Sequence, residues 1–158
     1  MGPMATGILM GVAGTAAMDA WAQGLYRLGL QDRPDWAMPG RWLGHLARGR
    51  VFHDDIAAAG PVGGENGLGW ALHYGVGVAY GVAFAVLAGA GWLAAPTFLP
   101  VWAFALATIA AGWFLLMPGM GLGWAGARLD RPWLARGMGL LAHTAFGLGM
   151  WVAALAVA

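Results

Sequence analysis

Four long apolar runs dominate this 158-residue chain, and they limit what it can fold into. A helix needs about 20 mostly apolar residues to cross the hydrocarbon of a bilayer. The runs at 5–26, 68–90, 98–124 and 137–157 all reach that length. The chain is therefore read as an all-α integral membrane bundle of four transmembrane helices, arranged as two hairpins. Charge supports the reading. A soluble domain carries charge on roughly a quarter of its residues, but here the share is 9%, beside 60% hydrophobic residues. So few charges cannot cover a water-facing surface, so the solvent is lipid.

Direction follows from arginine, the only basic residue type in the chain apart from histidine. Arg27, Arg33, Arg41, Arg48 and Arg50 lie at or after the end of the first run, and Arg128, Arg131 and Arg136 lie between the third and fourth. Four spans put both arginine-bearing connections on one side, and the positive-inside rule makes that side cytoplasmic. Both termini then face outward, in a bacterial inner (plasma) membrane. Trp70, Trp124 and Trp133 fall near inner ends, and Trp92 and Trp102 near outer ends, as an aromatic belt would. The first run lacks a basic segment ahead of it, so it is read as a retained helix rather than a signal.

No cysteine is present, which excludes disulfides, iron–sulfur clusters and thiolate metal sites. The net charge of +1 gives no reason to expect nucleic acid as a partner. Residues 27–67 form the one long polar stretch, a cytoplasmic loop too short for a core of its own. Within it, residues 39–50 place Arg41, His45 and Arg48 on one helical face and Trp42, Leu43 and Leu46 on another. This suggests an amphipathic helix on the membrane surface, with Arg41, Arg48, Arg50 and Trp42 meeting lipid phosphates. An irregular loop is the alternative. His45 and His53, with Asp54 and Asp55, could bind a metal there or simply be solvated. Gly60–Gly67 lacks the Gly-Lys-Ser/Thr of a phosphate loop. Asn66 is the expected N-cap of the second span.

An ionisable group deep in lipid costs at least ~2.5 kcal/mol and should face the bundle interior. Asp19, His73 and His143 are the three such groups, each roughly 10 Å in from its cytoplasmic end at 1.5 Å per residue. Met117 reaches a similar level on the third run. Thr15, Asp19, Gln23 and Tyr26 recur with Gly7 and Gly11 on one face of the first helix. Gly69, His73, Gly77 and Gly81 do so on the second, and Gly139, His143 and Gly147 on the fourth. Small residues at this spacing let helices approach closely. The second and fourth runs share GxGxxxHxxxG, which suggests an internal repeat that places the histidines across a pseudo-two-fold axis.

Three uses of such a layer stay open. It can fix helix register and support a larger membrane complex. It can bind a small ligand or ion, or relay protons, as a small transporter acting as a homodimer or larger oligomer. It can hold a cofactor: haem b between His73 and His143, with Met117 as another axial ligand, or a transition metal on Asp19, His73 and His143. Nothing in the sequence names a catalytic residue, and a non-enzymatic role is favoured.

The runs MDAW from Met18, GRWLGHLARGRVFHDDIA from Gly40, GENGLGWALHYGVG from Gly64 and HTAFGLGMW from His143 span nearly the whole chain. Together they resemble a bacterial family of small membrane proteins known as domain of unknown function 2938. The resemblance implies a four-helix inner-membrane protein and no particular activity. Asp19, Arg41, Trp42, His45, His73 and His143 all lie within the matching runs.

Overall fold

The computed structural model describes residues 1–158 and contains helices and no strands. Helix α1 spans Pro3–Arg27, α2 spans Ala37–Leu46 and α3 spans Glu65–Ala94. Helix α4 spans Phe98–Gly119 and α5 spans Pro132–Leu155. Prolines open α1 and α5, where their missing N–H would be unpaired in any case. Helix α3 starts at Glu65, so Asn66 lies inside the first turn and is not the cap expected of it. Near its other end Gly89 adopts φ 75°, which breaks the helix before Ala94.

The third apolar run stops being helical at Gly119, short of the expected residue 124. Pro118 explains this. It cannot donate to the Phe114 carbonyl, and its ring crowds that group. The turn Gly112–Leu116 widens into π geometry, and the Met117 N–H reaches the Gly112 carbonyl instead.

Helices α3, α4 and α5 are long and apolar enough to cross a membrane. Helix α1, at 25 residues, has the length but not the apolarity. Thr6, Thr15, Asp19, Gln23 and four glycines dilute it.

Two compact units divide the chain. The first comprises Met1–Pro34, Tyr74–Thr108 and Leu140–Ala158. Its apolar core draws on four helices: Met10 of α1, Phe84 and Ala85 of α3, Val101 and Ala105 of α4, and Phe146 and Met150 of α5. Large apolar side chains such as Ile8, Val86, Leu87, Leu99, Leu148 and Val152 point outward. That is the reverse of a soluble surface and is compatible with a membrane protein. The second unit comprises Asp35–His73 and Ile109–Gly139. Its core gathers Trp42, Ile56 and Met120, with Met38, Leu43, Leu46 and Leu72 against them.

Candidate functional site

In the first unit, α1 and α3 touch through glycines. A Cβ on Gly7 would stand 2.5 Å from the Val82 Cα, and one on Gly11 2.5 Å from the Val78 Cα. A Cβ on Gly77 would strike the Thr15 hydroxyl. The two backbones meet because these residues carry no side chain. Thr15 is 1% exposed and its Oγ1 donates to the Gly11 carbonyl at 2.8 Å, so its polarity is absorbed within α1. One turn further along α1, Asp19 Oδ2 accepts a hydrogen bond from the Tyr74 hydroxyl at 2.8 Å.

Tyr74 is the residue that sequence reasoning missed. It stands next to His73 within the LGWxxHY run, and a phenol in an apolar helix was the available signal. Gln23 is half-buried and Tyr26 is 43% exposed, so Tyr26 sits at the rim of α1. His143 lies half-buried on α5 beside Thr144. The Thr144 Oγ1 accepts from the Trp102 indole at 3.2 Å and donates to the Leu140 carbonyl at 2.9 Å. Gly147 of α5 faces Ala105 and Trp102 of α4. The glycines beside the α3 and α5 histidines therefore seat a neighbouring helix in each case.

In the second unit, His73 stacks on Trp36, with ring centroids 3.9 Å apart, and meets Trp70 edge-on at 6.1 Å. Gly69, one turn before His73, packs on the Trp36 backbone. Met117 lies at the end of the π turn. No group of three or more His, Cys, Asp or Glu side chains that could hold a metal ion is gathered. The loop residues His45, His53, Asp54 and Asp55 form no such group either.

Arg41 and Trp42 correct the expectation that they meet lipid phosphates. Arg41 grips Glu65 with a two-pronged ion pair, Nε to Oε2 and Nη2 to Oε1, both at 2.8 Å. Its Nη1 donates to the carbonyls of Ile56, Ala57 and Ala59 at 3.1–3.2 Å. Hydrogen bonding to Glu65 holds the guanidinium above its ordinary pKa. Trp42 is 4% exposed, and its indole donates to the Val51 carbonyl at 2.8 Å. Both side chains face protein because α2 turns its apolar side onto Ile56 and Met120. Arg48 and Arg50 are exposed.

Two of the runs that carry the resemblance thus meet inside the second unit. GRWLGH supplies Arg41, Trp42 and His45, while GENG supplies Glu65. Gly40 lies against the Glu65 carbonyl so closely that no Cβ would fit. No curated protein and no solved structure matches the chain. The family model described as "Protein of unknown function (DUF2938)" matches residues 8–157, and the chain belongs to that family.

Proposed function

We propose that this is a non-enzymatic, four-span protein of a bacterial-type inner membrane, with α1 as the fourth span and a proton- or cation-binding centre at Asp19. The observation that carries the reading is the Asp19–Tyr74 hydrogen bond on a helix pair locked by glycines. An ionisable group kept on an apolar helix at an energetic cost is a functional feature by default. The phenol orients the carboxylate and can pass a proton to or from it. Helix α1 falls short in apolarity because it carries this centre and the small residues that seat α3. Only its glycine face is covered by α3, while Ile8 and Val12 point outward. Arginine placement supports cytoplasmic connections and outward termini.

Purified protein in liposomes loaded with a pH-sensitive dye tests the centre. Under an imposed potential, wild type should acidify the lumen faster than empty vesicles. Asp19→Asn should abolish the difference, and Tyr74→Phe should slow it. A parallel titration with sodium or potassium reads cation binding. If wild type shows neither flux nor cation binding, or Asp19→Asn behaves as wild type does, the centre has no such role.

A further inference from the structure

The second unit holds a histidine pair whose hydrogen bonds cannot all form without an extra proton. His53 Nε2 faces His45 Nδ1 at 3.2 Å. The outer nitrogens both face backbone carbonyls: His53 Nδ1 meets the Gly119 oxygen at 3.0 Å, and His45 Nε2 meets the Gly60 oxygen at 2.9 Å. A carbonyl oxygen only accepts, so each outer nitrogen must carry a hydrogen. The central contact needs one more. Three protons are required, and two neutral imidazoles supply two. Without the third, two lone pairs face each other inside a pair whose His53 is 5% exposed.

We infer that His45 and His53 form a proton-binding dyad, holding one shared proton that latches the loop to α2 and to the end of α4. His45 projects from α2, His53 and Gly60 belong to the following loop, and Gly119 closes α4. The Gly119 carbonyl also accepts the His53 backbone N–H at 3.0 Å, which holds it in place as an acceptor. Around the dyad, Arg41 one turn back on α2 is committed to Glu65 at the start of α3, and Arg48 one turn on is exposed. Asp54 and Asp55 follow His53 and are exposed, with Asp55 accepting the Ala57 N–H. The end of α4 and the Gly60 segment bring the two carbonyls, and beyond α4 Arg128 donates to the carbonyl of Gly121, which packs on the His53 and Asp54 backbone. Arg41 is already neutralised by Glu65. This inference does not depend on the Asp19 centre.

The sign of the pH effect follows from proton counts. Free imidazole titrates near pH ~6.5, so the unfolded pair holds about one proton beyond neutrality at that pH. The hydrogen-bond pattern of the folded dyad calls for one shared proton. Stability therefore falls as pH rises above ~6.5, where the unfolded chain holds fewer protons. It also falls as pH drops below ~6.5, where a second cation would press N–H against N–H. The two steps belong to the pair rather than to either ring.

Detergent-solubilised full-length protein should be unfolded by denaturant across pH 5 to 9, in wild type, His45→Gln and His53→Gln. The wild-type folding equilibrium should peak near pH ~6.5 and fall by up to about tenfold per pH unit above it, relative to either variant. His73 and His143 contribute equally to all three proteins and cancel. Independently, the imidazole nitrogens of wild type should show one protonated pair by 15N NMR near neutral pH, with His45 and His53 changing together. Identical pH profiles in wild type and variants would overturn the dyad. So would two neutral rings at pH 6.5, and that spectrum decides the matter even if a variant fails to fold.

Discussion

Replacing Gly11 by alanine adds one methyl group where the α1 and α3 backbones touch. The new Cβ would stand 2.5 Å from the Val78 Cα and closer still to the Gly77 carbonyl, both of them backbone. Carbon contacts settle at about 3.5–4 Å, so the helices must part by about 1 Å. A gap of that size forfeits roughly a quarter to a half of the dispersion attraction of the facing atoms. Overpacking of this kind costs about 1–3 kcal/mol. Two turns along α1, the 2.8 Å bond from Tyr74 to Asp19 would stretch past hydrogen-bonding range. A hydrogen bond to a charged group contributes about 1.5–3 kcal/mol. The summed loss is roughly 3–6 kcal/mol. Unfolding in mixed micelles, titrated with SDS and followed by circular dichroism, measures it. Gly24 on the same helix is the control, since a Cβ there meets nothing within 4 Å. Gly24→Ala should be neutral or gain up to ~1 kcal/mol from helix propensity. Should Gly11→Ala cost no more than Gly24→Ala, the glycine contact does not hold these helices together.

Two further predictions concern the loop and the orientation. Arg41→Lys removes the planar fork and its carbonyl contacts, so backbone hydrogen exchange across residues 56–65 should accelerate and trypsin should cleave sooner at Arg48 and Arg50; unchanged exchange would show that Glu65 needs no guanidinium. Because the chain has no cysteine, Arg50→Cys and Thr97→Cys each give one thiol for an impermeant maleimide. Intact cells should label Thr97→Cys, and Arg50→Cys should react only after lysis. The opposite pattern reverses the proposed sidedness.

Where the helices lie was legible in the residue order. Long apolar runs leave the backbone no partner but itself, so α3, α4 and α5 follow from composition and length. Asp19 was legible as a polar group on a glycine-bearing face. Its partner was not. Tyr74 lies 55 residues away, and which hydroxyl meets which carboxylate depends on how two helices rotate about each other. Arg41 shows the same limit from the other side. Its helical face was readable, but lipid phosphate and Glu65 are equally good partners for a guanidinium on sequence grounds, and only the docking of α2 selects Glu65.

Local order along the chain thus determined the helices, the proline-widened turn in α4 and the small residues that allow close approach. Each of these depends on neighbours within a turn or two. The tertiary structure decided the pairings: Asp19 with Tyr74, Arg41 with Glu65, and His53 with both His45 and the Gly119 carbonyl 66 residues on. A hydrogen bond is sensitive to tenths of an ångström. That precision arises only once side-chain packing sets the rotation and offset of each helix against the next.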